Sequence, residues 1–213
     1  MDCPNTNYME TVDYISLGGD CIPAISLRNL GLRKEAYPFD WVLLHNDTIA
    51  TFLLNDFEDY HSNLAMNWNR WIKNTKHEVE FPHDYDTTTD EGWRDQIESV
   101  NEKYQRRIER FRNLMKKNTP LIVFMSYDMY MSRVIRQVIK EKYNRKNIYY
   151  IVKYKDANLI EDDNIFPVIT PDQIFTKDEW NSHEIWIPPL KRVQQIISLK
   201  YIKSWCPGLA YSN

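Results

Sequence analysis

The sequence predicts an α/β fold, a single domain with a partly parallel sheet flanked by helices. Two short apolar runs, residues 121–125 and 148–152, enclose a stretch with helical periodicity. Strand, helix and strand in this order are typical of a parallel sheet that is covered on both faces. A long amphipathic stretch at 94–117 precedes these runs, and residues 12–17 alternate as a strand does. We therefore expect the sheet to form the centre of the fold.

The composition fits one soluble, intracellular domain of 213 residues. Hydrophobic residues make up 43% and charged residues 27%, which is too apolar for a disordered chain. Lys and Arg total 27 against 30 for Asp and Glu, so the net charge of -3 provides no overall field that would attract nucleic acid or anionic lipid. The sequence thus predicts neither a nucleic-acid partner nor a membrane partner, and it leaves the oligomeric state open.

The cysteine content and the first residues indicate a cytoplasmic, reducing compartment. No window approaches the roughly 18 apolar residues of a membrane span. Acidic residues stand where a signal peptide needs a basic and then an apolar run. Three cysteines, at positions 3, 21 and 206, are an odd number without a short paired spacing. This pattern argues against a disulfide framework and against a metal site.

The first legible element is a strand, a turn and a short helix. The strand at 12–17 leads into the glycine pair at 18–19, where the backbone can turn sharply. Asp20 is a suitable N-cap, and the apolar positions that follow form a helix that Gly31 can close. Cys21 is then expected in the first turn of that helix.

The following segments are less regular. Pro38 cannot continue the first helix, so residues 37–41 are predicted to be a packed connecting segment. Residues 47–60 have the spacing of a helix, whereas 61–93 lack a clean period except for a short strand at 78–81.

The second half of the chain carries the periodic elements. They are the amphipathic helix at 94–117, the strand at 121–125, a helix around 134–139, the strand at 148–152, a further strand at 166–169 and a helix at 190–205. We therefore divide the single domain 1–213 into a nucleophile unit at 12–41, a helix with a strand-helix-strand unit at 94–152, and a packed C-terminal cap at 170–213.

Cys21 is the residue with the clearest potential for chemistry. A cysteine at a helix start faces unpaired backbone N-H groups and the positive end of the helix dipole, which favour thiolate over thiol. The sequence therefore predicts a nucleophile, with the backbone N-H groups of residues 19–22 as an oxyanion hole. The alternative is that Cys21 is a small buried hydrophobic residue.

A thiol nucleophile needs a base, and the chain has five histidines, among which spacing cannot choose. His83 is the best local candidate, because a predicted strand and Pro82 stiffen its approach. Asp84 and Asp40 are the two candidates to orient its ring, although adjacent side chains on an extended segment point to opposite faces. His61 and His77 lie among polar residues and are expected on the surface.

Several motifs together resemble a known family of bacteria and large DNA viruses. The motifs are residues 16–21 (SLGGDC), 30–33 (LGLR), 36–41 (AYPFDW) and 81–84 (FPHD), with the arginines at 106, 107 and 110. The family is described as putative papain-like cysteine peptidases, a domain of unknown function. The 38–41 PFDW motif is the most specific part of the resemblance.

This resemblance implies a Cys nucleophile and a His base, carried here onto Cys21 and His83. It also implies either peptide hydrolysis or acyl transfer to a glycan precursor, since members of the family are associated with glycan assembly. A transferase would take an acyl donor such as an acyl-coenzyme A, and a viral source would place the protein in the host cytoplasm. A papain-like core is a helix on an antiparallel barrel; here the local pattern predicts a parallel sheet instead, and we follow that pattern.

We expect Gly18, Gly19 and Asp20, with Tyr37, Phe39 and Trp41, to form the binding surface around Cys21 for a peptide, glycan or small-molecule substrate. The PFDW motif has an alternative role in core packing, with Asp40 capping a turn. The basic stretch at 106–117 is equally a solvated helix face or a surface for an anionic donor.

A different class of function is a binding domain without catalysis. In that case the exposed aromatic residues Trp68, Trp71 and Trp93 would hold a carbohydrate or a protein. The sequence contains no P-loop, no glycine fingerprint for dinucleotides and no metal-ligand spacing.

Overall fold

The computed structural model describes residues 11–89, 91–126, 129–153, 164–168 and 183–205. Within these ranges the chain forms two sheets and five α-helices. The strands are β1 (Asp13–Ser16), β2 (Leu64–Met66), β3 (Ile72–Asn74), β4 (Val79–Phe81), β5 (Leu121–Ser126), β6 (Ile148–Lys153) and β7 (Ile165–Val168). The helices are α1 (Ile22–Asn29), α2 (Asn46–Leu54), α3 (Ile97–Met115), α4 (Met129–Tyr143) and α5 (Ile187–Trp205). No helix among the described residues is both long enough and apolar enough to cross a membrane.

The larger sheet has the strand order β1-β5-β6-β7, and all its neighbouring strands run parallel. Every residue of β5 and β6 is buried, because helices cover both faces. Ile122 and Phe124 of β5 pack in a cluster with α1 and α5, while Val123 and Met125 pack in the cluster that includes α2, α3 and α4. The predicted α/β fold is confirmed, and a papain-like antiparallel barrel is not the core of this fold.

Most of the predicted elements occur where the periodicity placed them. β5, α4 and β6 form the expected strand-helix-strand unit, and α3 follows a short 3-10 turn at Arg94–Gln96. β7 begins one residue before the predicted strand, whose last residue, Ile169, lies outside the described residues. The part of the predicted C-terminal cap that precedes His183 also lies outside the described residues. The helix predicted at 190–205 starts three residues earlier, at Ile187.

Helix α1 begins one residue later than the sequence predicted, so that Cys21 is its N-cap and not part of its first turn. The Asp20 carboxylate still serves this end of the helix, because its Oδ1 accepts the Ile22 N-H at 2.8 Å. Gly31, at φ +68°, closes the helix as expected, with the Leu32 N-H bonded to the Leu27 carbonyl at 2.9 Å.

The segment 61–93 contains two strands that the sequence did not reveal. β2, β3 and β4 form a small antiparallel sheet, and Asn74 stabilises it by donating from Nδ2 to the carbonyls of Asp59 and Tyr60. These strands are only three residues long, which is too short for a period to be visible.

The helix predicted at 47–60 stops at Leu54, because the backbone adopts positive φ at Asp56, Phe57 and Asp59.

Candidate active site

Cys21 lies just beyond the carboxyl end of β1, at the edge of the parallel sheet where ligands bind in open α/β folds. The chain reaches this position through Gly18 and Gly19, at φ +58° and +86°. A Cβ added to Gly18 would lie 3.4 Å from Phe39 Cβ and from a methyl group of Leu44. Gly18 is thus required by its backbone conformation and by close packing, and it is buried.

His83 is the histidine that the structure places next to Cys21. Its Nε2 lies 3.5 Å from the Cys21 Sγ, within contact distance for a sulfur hydrogen bond. The ring follows β4, which is tied to the segment after Trp41 by a pair of backbone hydrogen bonds between Leu43 and Glu80 at 3.0 and 2.8 Å. Two elements from different sheets therefore bring the nucleophile and the base candidate together.

Trp41, from the PFDW motif, packs against the other side of this pair. Its ring meets the His83 ring edge-on, with centroids 6.1 Å apart and an interplanar angle of 87°. The guanidinium groups of Arg28 and Arg33 lie over the Trp41 ring at 5.0 and 5.8 Å. The Trp41 side chain therefore limits the rotation of the His83 ring. The sequence had predicted a carboxylate, that of Asp84 or Asp40, for this role.

Asp84 does not orient the His83 ring. Its side chain is only 4% exposed, forms an ion pair with Lys103 and accepts the Tyr104 hydroxyl at 2.5 Å. Both partners are on α3, so Asp84 anchors the turn at 82–84 to that helix. It therefore fixes the backbone next to His83. No motif or spacing in the sequence indicated Lys103 and Tyr104 as its partners.

Asp40 is a structural carboxylate as well. It is 2% exposed and accepts hydrogen bonds from the Ser16 hydroxyl, from the Tyr37 N-H at 3.1 Å and from Arg33 Nε and Nη2 at 3.1 and 2.9 Å. Among the described residues none of its contacts is with His83. The core-packing alternative for the PFDW motif is therefore the one that the contacts support.

Tyr37 and Phe39, both expected on the binding surface, are instead part of the core. Phe39 is 0% exposed and packs against Phe57, Tyr60 and Phe111. Tyr37 is 6% exposed, and burial raises the pKa of its hydroxyl well above the usual range. Of the three PFDW-segment residues proposed for binding, Trp41 alone has a side chain that is partly exposed.

The thiol of Cys21 has a raised pKa, contrary to the thiolate expected from its place at a helix start. Burial, with the negative charges of Asp20 and Asp84, raises the pKa to about 11 from the ordinary 9.0. The helix provides little compensation, because the Ile22 N-H is bonded to Asp20 and Pro23 has no N-H. The resting site is therefore a neutral thiol beside an imidazole.

We expect the alkylation of Cys21 by iodoacetamide to rise with pH without a plateau until about pH 11, because its reactive thiolate forms only there. Asp20→Asn removes one of the two charges and should move this rise to lower pH. Asp56→Asn, at an exposed carboxylate paired with Arg112, is the control and should leave it unchanged. Site-resolved peptide mass spectrometry measures the rate. A plateau below pH 7 would restore the thiolate prediction.

Fewer backbone N-H groups than expected are available for an oxyanion hole at residues 19–22. The Ile22 N-H is already used by Asp20. The N-H of Cys21 itself donates to no described residue, and the Cys21 carbonyl accepts the Ile25 N-H at 2.9 Å. The Ile22 N-H is thus not available to a developing oxyanion, whereas the N-H of the nucleophile itself is.

The remaining histidines and the aromatic residues of the alternative function lie elsewhere. His61 is not a surface residue: it stacks on Tyr85 and Tyr104, and burial lowers its pKa to about 4. Trp93 is 4% exposed and Trp71 is half-buried, so Trp68, at 90% exposure, is the one exposed member of the predicted aromatic surface.

The basic stretch of α3 is largely neutralised by carboxylates. Arg106 pairs with Glu102, Arg110 with Glu35, and Arg112 with Asp56 and Glu109. Lys117 likewise pairs with Asp13. These contacts favour the solvated-face alternative over a surface for an anionic donor.

Comparisons with known proteins identify a family and a viral relative. Residues 12–144, more than half of the chain, match the model of a family described as "Putative papain-like cysteine peptidase", a range that includes Cys21, Trp41 and His83. An uncharacterised protein of Acanthamoeba polyphaga mimivirus is 28% identical over 152 residues, covering 60% of this chain and 67% of its own length. No solved structure matches the chain.

Proposed function

Since this chain belongs to the family described as "Putative papain-like cysteine peptidase", whose description gives it a cysteine-based, hydrolase-like role, we propose that it catalyses acyl transfer through a Cys21–His83 dyad. The observation that carries the proposal is the 3.5 Å contact between Cys21 Sγ and His83 Nε2. The contact joins the two residue types that thiol-dependent acyl transfer requires.

In the proposed first step, the Cys21 sulfur attacks the carbonyl carbon of the substrate while His83 Nε2 accepts the thiol proton. For this role Nε2 is unprotonated at the start and Nδ1 carries the hydrogen. The tetrahedral oxyanion accepts a hydrogen bond from the Cys21 N-H. When the bond to the leaving group breaks, the His83 proton passes to the leaving group, and an acyl-Cys21 thioester remains.

In the second step, water attacks the thioester carbonyl while His83 removes its proton, and that proton returns to the sulfur as the thiol is released. The carboxylic acid leaves and the dyad is restored. The same dyad can serve a sugar hydroxyl or amine as acceptor, and an acyl-coenzyme A as acyl donor with coenzyme A as the leaving group, because only the attacking and leaving groups change. Hydrolysis is the version that the family description favours.

The proposal is tested by trapping the acyl enzyme. A p-nitrophenyl ester is mixed with the protein, the reaction is quenched in acid and the intact mass is measured. We expect one acyl adduct that peptide mapping places on Cys21, and a burst of nitrophenol of the same stoichiometry. Cys21→Ala should give neither. An adduct that persists in Cys21→Ala, or an adduct on another residue, would contradict the proposal.

A further inference from the structure

The open face of helix α1 continues from the dyad to a charged residue. Cys21, Ile25 and Arg28 are at positions i, i+4 and i+7, which share one face of an α-helix. Cys21 and Ile25 are half-buried and Arg28 is exposed. The intervening α1 residues are buried against the sheet, namely Ile22, Pro23, Ala24, Ser26 and Leu27. This face therefore offers the nucleophile, an apolar patch and a cation in a row.

Trp41 connects the two ends of this row. Its ring contacts the His83 ring on one side of the site and lies beneath the Arg28 guanidinium at 5.0 Å. Stacking on an aromatic ring holds a guanidinium in place while its N-H donors remain available. Arg28 is thus fixed next to the dyad and is not a freely moving surface side chain.

Among the described residues, no carboxylate pairs with the positive charge of Arg28. Its guanidinium forms no hydrogen bond and no ion pair with any described residue. Two nearby cations are used differently: Arg33 binds Asp40 at 2.9 Å, and Lys103 forms its ion pair with Asp84. The guanidinium of Arg28, in contrast, has N-H donors that no described carboxylate occupies, and these donors can bind a ligand.

We propose that Arg28 determines substrate specificity by binding an anionic group, a carboxylate or a phosphate, on the acyl part of the substrate. This inference rests on the proposed function of the dyad. Two helical turns separate Cys21 from Arg28, which corresponds to roughly 10 Å. The substrate then carries its negative charge at about that distance from the reacting carbonyl, with an apolar chain across Ile25.

Charge-matched alkylating probes test the proposal. N-iodoacetyl-6-aminohexanoate has its carboxylate near the proposed distance from the reacting carbon, and its primary amide is the neutral probe of the same length. We expect Cys21 to react up to about five times faster with the anionic probe, the upper end of the range for an exposed ion pair. Arg28→Gln should remove this preference, and Arg28→Lys should keep most of it. A third probe that ends in a phosphate monoester distinguishes the two anion classes.

Arg106→Gln is the matched control, because Arg106 is an exposed arginine on α3 that pairs with Glu102 and does not contact the site. It should leave the preference unchanged. Equal rates for both probes in the parent protein, or a preference that survives Arg28→Gln, would overturn the proposal. Failure of the proposed function would give a different result. Cys21 would still prefer the anionic probe, but p-nitrophenyl esters would give no acyl-Cys21.

Discussion

Replacing His83 with Ala is expected to slow the acylation of Cys21 by a p-nitrophenyl ester by roughly 10²–10⁴-fold at pH 7, the range for loss of a general base. The effect is large because the pKa of Cys21 is about 11, so that almost no thiolate exists at this pH without a proton acceptor. Stopped-flow release of nitrophenol under single-turnover conditions measures the rate.

Two controls separate a loss of chemistry from a loss of structure. His45→Ala removes an exposed histidine at the start of α2 and should change the rate less than twofold. Added imidazole should restore part of the rate in His83→Ala, because it can enter the space of the missing ring, while a merely unfolded variant gains nothing. Acylation of His83→Ala within twofold of the parent protein would remove His83 from the mechanism.

The sheet could be predicted from the sequence because its strands are buried on both faces. Such strands appear as continuous apolar runs, as at 121–125 and 148–152, and the helix between them has a period of its own. β2 and β3 have three residues each and hold their place through polar contacts such as those of Asn74. Contacts of this kind join residues distant in sequence and leave no periodic pattern.

The dyad was predictable for a different reason. Cys21 follows a strand and a glycine pair, and His83 follows a strand and a proline, so both are at element ends where side chains meet an open edge. The partners of the aspartates were not predictable. Asp84 and Asp40 bind residues from α3, β1 and the loop after α1, and nothing in the local sequence specifies those partners.

The sign of the Cys21 pKa shift shows the limit of a local argument. A helix start favours an anion when its N-H groups are free. Here one of these groups is bonded to Asp20, and Asp20 and Asp84 add negative charge near the sulfur. The sequence places Asp20 next to Cys21, but it does not show that the Asp20 carboxylate turns toward the helix start. Asp84 follows Cys21 by 63 residues, so that only the fold brings its charge near the sulfur. The protonated thiol of Cys21 therefore follows from tertiary contacts.

Substitution of Asp40 tests whether the PFDW motif has a structural role or orients the His83 ring. Among the substitutions proposed here, it should have the largest effect on the free energy of unfolding. The carboxylate joins β1, through Ser16, to the segment at 37–41 and to Arg33, which lies over Trp41. Asp40→Asn removes the charge and turns one acceptor into a donor that faces other donors. Loss of one partner of a buried ion pair costs about 3–5 kcal/mol.

We expect Asp40→Asn to lower the free energy of unfolding by about 3 kcal/mol, the low end of that range, because Arg33 is 23% exposed and can regain solvent. Urea denaturation followed by tryptophan fluorescence measures the change. Asp56→Asn is the matched control: Asp56 pairs with Arg112 at 2.8 Å but is 53% exposed, so we expect at most about 1 kcal/mol. If Asp40→Asn is as stable as the parent protein and yet fails to acylate Cys21, then Asp40 acts on the dyad and the structural role is wrong.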